Sequence, residues 1–231
     1  MNNSSTGRPR ITALICTLNE EENLPYVLPE IPEWVDEILL VDAHSTDRTV
    51  DVARELCPDI RILYQPGKGK GDALKYGIEH ASGDIIVTLD ADGATNPQEM
   101  SRFIEPLLNG NDFAKGSRFV HGFPANKPNY RVLGNLIITA TFEVLFFKRY
   151  TDLCSGYNSF WRSKVDKALN PWPSDGFENE PFINTRVAKR GLKVVEVGYE
   201  EKGRLKGNIK ERSWRQGSKA IKSIIRERFR G

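Results

Sequence analysis

The stretch that decides the fold is IIVTLDADG at residues 85–93, in which five strand-forming residues run directly into Asp90-Ala91-Asp92. A short continuous apolar run that ends in turn residues is typical of a strand covered on both faces. In an open α/β sheet, ligands bind beyond the carboxyl ends of the strands. Two carboxylates at that end can converge on Mg²⁺ or Mn²⁺, which takes one or two protein carboxylates beside a diphosphate. Asp-Ala-Asp-Gly is also good turn chemistry, so the triplet alone leaves both interpretations open.

Outward from this strand, the chain before residue 110 alternates between strand and helix patterns. Helical spacing predicts a helix over residues 20–31 despite Pro25 and Pro29, and Ser45-Thr46-Asp47 offers an N-cap for the next helix. The remaining elements are predicted as strands at 11–16, 37–41, 60–64, 113–119 and 192–197, and as helices at 73–80, 133–147 and 214–229. The alternation predicts an α/β fold with a mostly parallel central sheet flanked by helices.

Length and charge predict how the chain is organised. Its 231 residues fit a single domain. From Lys202 onward eleven Lys or Arg stand against two Glu, so the rest of the chain is net negative although the whole carries +2. This asymmetry indicates an anionic partner near the C-terminus. We expect a disordered lead at residues 1–10, a catalytic domain at 11–201, and a basic segment with an amphipathic helix at 202–231.

Location follows from what the sequence lacks. The polar N-terminus shows no secretory signal, and three scattered cysteines fit a reducing cytoplasm. The longest apolar stretch, 132–147, is shorter than a membrane span and contains Asn135 and Glu143. The expectation is a cytoplasmic protein. Two interpretations of the basic C-terminal helix stay open: packing on the domain, or peripheral contact with the inner face of the membrane.

The loop GKGKG at residues 67–71 comes after one predicted strand and opens the next helix. Its glycines allow close approach of the backbone, and its lysines and the helix N-terminus favour an anion. It matches neither the P-loop pattern nor GxGxxG. A solvated flexible loop is the alternative, but its place between strand and helix favours contact with a nucleotide or phosphate.

Several segments, taken in order, resemble family 2 glycosyltransferases of GT-A fold, and specifically the dolichol/polyprenyl-phosphate mannosyltransferase-like branch. The likeness runs from about residue 11 to 215. The matching segments are TLNEE at 17–21 (family P-x-x-N-E), VDAHSTD at 41–47 (VDDGSTD), GKGKGDAL at 67–74 (GKGxAL), LDADG at 89–93 (D-x-D), DLCSGY at 152–157 (D-x-CSGF) and GFENE at 176–180 (GFExE).

The resemblance implies which residues hold the donor. Mg²⁺ or Mn²⁺ on Asp90 and Asp92 would stabilise charge on the leaving nucleoside diphosphate. An acceptor oxygen would then attack the anomeric carbon from the opposite face, with inversion. The implied donor-binding residues are Thr17, Asn19, Glu20, Asp42, Lys70, Asp90, Ala91 and Asp92.

The resemblance also implies acceptor and catalytic residues. Arg118 and Arg131 match arginines that bind an acceptor phosphate in the lipid-phosphate branch, a role that suits the planar guanidinium. Surface ion pairs are the alternative for both. Lys202 and Arg204 could hold a phosphate as well. The catalytic residues implied are Asp92, Glu178 and Glu180; either glutamate could act as a base for a hydroxyl acceptor, bind sugar hydroxyls, or complement a helix dipole.

Three departures from the family pattern limit what the resemblance implies about the substrates. Ala43 replaces the second Asp of VDD, which reads the base in the family. Gly93-Ala94 follows the D-x-D where the branch often has a Gln, and Lys202 stands where a His is frequent. The base, the sugar, the acceptor and the oligomeric state therefore stay open.

The leading hypothesis is transfer of a hexose from a GDP- or UDP-sugar to a phosphorylated acceptor such as polyprenyl phosphate. An alternative within the class is a hydroxyl of a soluble small molecule in natural-product or glycan biosynthesis. A sugar-phosphate nucleotidyltransferase would open with a glycine-rich loop, and residues 17–22 contain no glycine. A nucleic-acid-binding module ranks lowest, because the basic tail has only Trp214 and Phe229 as aromatics and matches no recognition motif. No nucleic-acid partner is expected.

Overall fold

The structure is a computed structural model that describes residues 7–122, 129–170, 172, 179–207 and 213–230. Of residue 179 and residues 213–216 it describes the backbone alone. Glu178, one of the expected catalytic residues, lies outside the described residues, as do residues 1–6 of the expected disordered lead. Within the rest of that lead, Arg8 pairs with Asp36 and the Arg10 amide donates to Asp84.

One sheet runs through the described chain in the order β3-β2-β1-β4-β6-β5-β7. β6 is antiparallel to both its neighbours and the other paired strands are parallel, which confirms the prediction of a mostly parallel sheet. The strands are β1 (Ile11–Thr17), β2 (Glu37–Asp42), β3 (Arg61–Tyr64), β4 (Ile85–Asp90), β5 (Phe113–Ser117), β6 (Asn158–Trp161) and β7 (Val194–Gly198).

Helices cover both faces of the sheet because alternate strand residues are apolar on each side. In β1, Ala13 and Ile15 pack into a core with α1 and α3, while Leu14 packs into a second core with α2, α5 and α6. The α-helices are α1 (Thr49–Leu56), α2 (Lys70–His80), α3 (Met100–Leu108), α4 (Asn129–Phe146), α5 (Arg162–Leu169), α6 (Asn179–Lys189) and α7 (Ser213–Phe229).

The prediction of a helix over residues 20–31 was wrong. Two short 3-10 turns stand there, Leu24–Tyr26 and Leu28–Glu30, each with a proline as its second residue. Pro25 and Pro29 lack the amide hydrogen that an α-helix interior needs, and their rings clash with the preceding turn. The apolar residues that suggested a helix are nevertheless buried, so their burial was correctly anticipated.

A third apolar cluster joins α4, α6 and α7 beside the sheet. Helix α7 buries Ala220, Ser223, Ile224 and Glu227, while its lysines and arginines after residue 216 are exposed. This is the packed arrangement, one of the two interpretations that the sequence left open. Within the described ranges, no helix has both the length and the apolar character required to cross a bilayer.

Candidate active site

The predicted site residues gather at the carboxyl edge of the sheet. In the parallel register Thr17 pairs with Asp42, and Cys16 pairs with Asp90, so β1, β2 and β4 end side by side. The loops that follow these strands therefore meet at one place. This is the location at which open α/β sheets bind ligands.

Lys70 is the centre of a small charged cluster at this edge. Its Nζ lies 2.6 Å from Asp90 Oδ1 and 2.5 Å from Glu180 Oε1. Burial opposes the ammonium charge, but Asp90 and Glu180 outweigh it and raise the pKa of Lys70 well above its ordinary value. The structure thus brings one residue from each of α2, β4 and α6 into contact, although 110 residues separate the first from the last in the chain.

Gly156 forms the wall behind this cluster. A Cβ at that position would lie 3.1 Å from Lys70 Nζ, 3.2 Å from Asp90 Oδ2 and 3.3 Å from Glu180 Oε1. The absence of a side chain lets the three charged groups meet there. This glycine lies within DLCSGY, but no role was predicted for it from the sequence. Its place in a segment that matches the family was the signal that could have identified it.

Asp92 lies next to the cluster and fits a cation that approaches from outside the protein. Burial and, after it, the charge of Asp90 raise the pKa of Asp92 to about 6, so the ionised form of Asp92 would be stabilised by a further cation. The Ala94 amide donates to Asp92 Oδ1 at 3.0 Å and so orients the carboxylate at the carboxyl edge of the sheet. Ala91, between the two aspartates, is buried. No group of three or more acidic, His or Cys side chains among the described residues could enclose a metal. Two carboxylates without such an enclosure suit Mg²⁺ or Mn²⁺ that is shared with substrate phosphates.

Asp42 holds the loop after β2 in place through buried hydrogen bonds. It is fully buried, and its oxygens accept hydrogen bonds from Thr17 Oγ1 at 3.1 Å, Ser45 N at 2.8 Å and Ser45 Oγ at 2.5 Å. These bonds occupy three of the roughly four acceptor positions of an ionised carboxylate. Thr17 and Asp42 therefore join the ends of β1 and β2 to the loop that follows β2.

The loop surface above Asp42 is formed by residues in left-handed backbone conformations. Asn19 has φ of +53° and His44 has φ of +59°. Asn19 Oδ1 accepts from Thr46 N at 2.8 Å, and the His44 ring stacks on Tyr64 with centroids 5.8 Å apart. His44 therefore occupies, with an aromatic ring, the place that is Gly in the family pattern, directly after Ala43.

A basic strap, residues 202–206, crosses the aspartate loop. The Lys202 amide donates to Ala94 O at 2.9 Å, and the Leu205 amide donates to Asp92 O at 3.0 Å. Arg204 makes two hydrogen bonds to buried Glu20, at 2.9 and 2.7 Å, and its Nη1 lies 3.9 Å from Asp92 Oδ2. Glu20 and Arg204, both predicted site residues, thus neutralise each other beside the aspartates, while the Lys202 side chain is exposed.

Arg118 lies in a buried ion pair with Asp152. Arg118 Nε lies 2.6 Å from Asp152 Oδ2 and Nη2 lies 2.9 Å from Oδ1, and the Asp152 side chain is 0% exposed. Although burial favours the neutral acid, the Arg118 guanidinium holds the pKa of that carboxyl well below its usual range. Asn135 Nδ2 also donates to Asp152 at 2.7 Å. The pair is an alternative to phosphate binding, and it is buried where the sequence suggested a surface pair.

Arg131 stands one helical turn before Asn135, on the same face of α4. It is half-buried, and its Nε has no hydrogen-bond partner in the described part of the chain. A buried guanidinium nitrogen without an acceptor is costly unless a ligand supplies one. Of the three arginines predicted to hold a phosphate, Arg131 and Arg204 each have an Nε without a partner among the described residues, but Arg204 is already paired with Glu20.

Fold and site together define a class: enzymes that bind a nucleotide at the carboxyl edge of a Rossmann-like sheet and carry paired aspartates at one strand end. The chain belongs to glycosyl transferase family 2, whose family model matches residues 12–169. This confirms the family resemblance of the sequence segments.

Curated relatives agree with this assignment. The chain is 32% identical over 192 residues to "Glycosyltransferase AglJ" of Haloferax volcanii, covering 81% of this chain and 61% of the relative. It is 32% identical over 212 residues to "Dolichol-phosphate mannosyltransferase" of Pyrococcus furiosus, covering 87% and 59%. "Polyprenol monophosphomannose synthase" of Mycolicibacterium smegmatis is 31% identical over 207 residues, covering 84% and 78%. The chain thus spans about three fifths of the length of the first two relatives.

Solved structures share the fold. Glucosyl-3-phosphoglycerate synthase from Mycobacterium tuberculosis, in complex with Mn²⁺, UDP and glucosyl-3-phosphoglycerate, superposes with a TM-score of 0.74 at 20% identity, covering 96% of this chain and 80% of that one. The same enzyme with Mg²⁺ and UDP gives a TM-score of 0.75, covering 96% and 79%. The GT-A fold expected from the sequence is confirmed.

Proposed function

We propose that this protein transfers a hexose, with inversion, from a nucleoside diphosphate sugar to a phosphorylated acceptor such as polyprenyl phosphate. The observation that carries the proposal is the carboxyl edge itself, where Asp90, Asp92 and Lys70 adjoin. Two aspartates lie beside a lysine at the start of a helix, and the lysine pairs with one of them. This arrangement suits a diphosphate bridged to a divalent cation.

The chain's own residues prepare this edge for the donor. Thr17, Asp42 and Ser45 fix the loop on which the nucleoside rests, because their hydrogen bonds hold the backbone in one conformation. A bound Mg²⁺ or Mn²⁺ would be held by Asp90 and Asp92 and would stabilise the negative charge of the departing diphosphate. Lys70 and Arg204 supply further positive charge at the same edge. GDP and UDP both fit this chemistry.

The test of donor binding compares two aspartates. Asp92→Ala should abolish Mn²⁺-dependent binding of UDP or GDP measured by calorimetry. Asp59→Ala is the matched control, because Asp59 is exposed just before β3, at the opposite edge of the sheet, and should leave binding unchanged. Nucleotide binding that keeps its metal dependence in Asp92→Ala would refute the role of this edge.

The proposal of a phosphate acceptor depends on Arg131. Its Nε has no partner among the described residues, and Arg131 lies one turn of α4 before Asn135, which donates to Asp152. Guanidinium groups bind phosphate through two hydrogen bonds. Arg131→Met should reduce kcat/KM for a short-chain prenyl phosphate at least tenfold without weakening donor binding. Arg190→Met is the control, because Arg190 is exposed beyond the far end of α6, about 15 Å along that helix from Glu180.

A hydroxyl acceptor is the second candidate, and the position of Glu180 favours it. This carboxylate touches Lys70 and so lies at the reacting edge, where a base for a hydroxyl group would be needed. Glu180→Gln should abolish transfer to a hydroxyl acceptor, whereas an ionised phosphate needs no base. Loss of hydroxyl transfer in Glu180→Gln, together with unchanged rates in Arg131→Met, would favour this candidate over the first.

Peripheral contact with an anionic membrane belongs to the same proposal. The outward face of α4, opposite its buried Phe142, carries apolar residues at alternating spacings of three and four, followed by exposed Lys148 and Arg149. Such a face fits the boundary between head groups and acyl chains, with the basic pair on anionic lipid. The residues of this outer stripe are Tyr130, Leu133, Ile137, Ala140, Val144 and Phe147.

Vesicles containing anionic lipid test this contact. Ile137→Asp should remove co-sedimentation with vesicles and leave the melting temperature within a few degrees, because Ile137 is 49% exposed. Leu108→Asp is the matched control, since Leu108 is 56% exposed at the end of α3 and lies outside the stripe. Equal retention of both variants on the vesicles would exclude the outer stripe as the contact.

A further inference from the structure

Lys70 has a relation to the aspartates that the proposed function does not use. Its ammonium lies at hydrogen-bond distance from Asp90 and from Glu180 at the same time. The side chains of Lys70 and Glu180 are largely shielded from water, with 22% and 12% exposed, and 35% of the Asp90 side chain is exposed. Asp90 is one of the two carboxylates proposed for the divalent cation. The chain therefore places a positive charge of its own on a proposed metal ligand.

An ammonium and a divalent cation compete for such a carboxylate. A Mg²⁺-type ion requires its oxygens at about 2.0–2.1 Å, and two cations that share one oxygen repel each other strongly away from bulk water. Asp92 has no comparable contact with Lys70, and Arg204 lies 3.9 Å from it. Lys70 contacts Oδ1 of Asp90, so an arriving metal either displaces the ammonium from that oxygen or binds Oδ2 beside a charge that repels it.

The displaced ammonium needs another anion, and the diphosphate of the donor is the one that arrives with the metal. Lys70 stands at the first residue of α2, after Gly69 with φ of +84°, so it is already in a loop shaped for phosphate. Glu180 can keep one hydrogen bond to the ammonium during the exchange. The diphosphate then compensates for the contact that Asp90 gives up.

We infer that Lys70 is an internal counter-cation that occupies the metal edge until the donor arrives, and so makes metal binding depend on the nucleotide. This inference rests on the proposed metal site at Asp90 and Asp92. It gives Lys70 a second role beside donor binding. Without nucleotide the metal binds weakly, because it has to displace the Lys70 ammonium while no diphosphate is present to replace Asp90. By linkage, metal and nucleotide strengthen each other's binding by the same factor.

The experiment measures Mn²⁺ affinity without nucleotide, by calorimetry and by the electron paramagnetic resonance signal of free Mn²⁺. Lys70→Met should bind Mn²⁺ at least about tenfold more tightly than the unchanged protein, because the competing charge is gone. The factor by which UDP improves Mn²⁺ binding should fall correspondingly. A damaged fold would weaken metal binding, so a gain in affinity separates this role from a merely structural one.

Two controls isolate the charge at this position. Lys70→Arg keeps a cation and should leave Mn²⁺ affinity within about threefold of the unchanged protein. Lys68→Met removes a charge from the same loop, but the Lys68 side chain is exposed, so the Mn²⁺ affinity of this variant should stay unchanged. Lys70→Gln repeats the main test with a different neutral side chain, in case Met disturbs the loop.

The outcomes distinguish the inference from the proposed function. Unchanged or weaker Mn²⁺ binding in both neutral variants would overturn the inference, as would equal tightening in Lys70→Arg. In those cases, nucleotide-dependent Mn²⁺ binding by the unchanged protein would still support the proposed function. If the unchanged protein binds no Mn²⁺ even with UDP or GDP, the metal site fails and the inference fails with it.

Discussion

Replacing Arg118 with Met should destabilise the protein strongly, and a second arginine in the chain provides the scale. Arg118 and Asp152 make two hydrogen bonds, with 12% of the Arg118 side chain and none of the Asp152 side chain exposed. Arg8 and Asp36 make the same two-bond contact at 2.8 and 3.0 Å, but 56% of Arg8 is exposed. The two pairs therefore differ chiefly in burial.

Burial determines the expected magnitudes. Arg118→Met leaves Asp152 charged in the interior, which typically costs about 3–5 kcal/mol. Arg8→Met breaks an exposed pair and should cost about 0–1 kcal/mol. For a protein of this size each kcal/mol lowers the melting temperature by about 2–4 °C, so Arg118→Met should melt about 6–20 °C lower.

Urea unfolding followed by tryptophan fluorescence gives both free energies. The paired Asp152 has a lowered pKa, so its contribution is complete above the pKa of the unfolded carboxyl and is lost as the pH falls toward the folded value. In Arg118→Met the buried Asp152 carboxyl has lost its guanidinium, so burial raises its pKa and the variant can take up a proton. The stability gap should therefore begin to narrow above the unfolded pKa of about 4 and narrow further as the pH falls. A loss no larger than that of Arg8→Met would refute the argument, and would leave Arg118 available as a phosphate ligand.

Three further predictions follow from the site and its supports. Gly156→Ala places a Cβ 3.1 Å from the flexible end of Lys70. The free energy of unfolding should stay within about 1 kcal/mol of the unchanged protein, while the transfer rate falls at least about tenfold. Urea unfolding and a kinetic assay measure the two effects. Because a proton competes with the metal for Asp92, whose pKa is raised to about 6, calorimetry should find Mn²⁺–UDP binding weakening as the pH falls below about 6 and constant above about 7. Glu227→Gln leaves buried Arg186 without its carboxylate, now 2.8 Å away, and should cost about 3–5 kcal/mol, with faster hydrogen exchange in α7; unchanged exchange there would contradict it.

The sequence predicted the half of the sheet that carries the proposed donor site because its signals are local. β1, β2 and β4 are apolar runs, and each ends in the polar residues that form the site. Their parallel register follows from strand–helix alternation, which brings the predicted residues Thr17, Asp42 and Asp90 to one edge. Nothing distant in the chain is needed for this part.

The parts that the sequence did not predict depend on distant contacts. β6 has four residues, Asn-Ser-Phe-Trp, too few to show a period, and it is a strand because it pairs with β4 and β5. The bond between Arg204 and Glu20 joins residues 184 positions apart. The charges of residues 202–206 indicated an anionic partner, and in the structure Glu20 supplies one to Arg204.

The antiparallel strand β6 has a consequence for synthesis of the chain. β1 to β4 are complete at residue 90, but the outer edge of β4 is paired only by residues 158–161. At about 5–20 residues per second, the ribosome leaves this edge open for about 4–14 s. Unpaired N–H and C=O groups on a long apolar strand are a template for aggregation. A nascent chain of this protein therefore passes through an interval in which the outer edge of β4 is unprotected, and a fragment that ends after α3 should aggregate rather than fold.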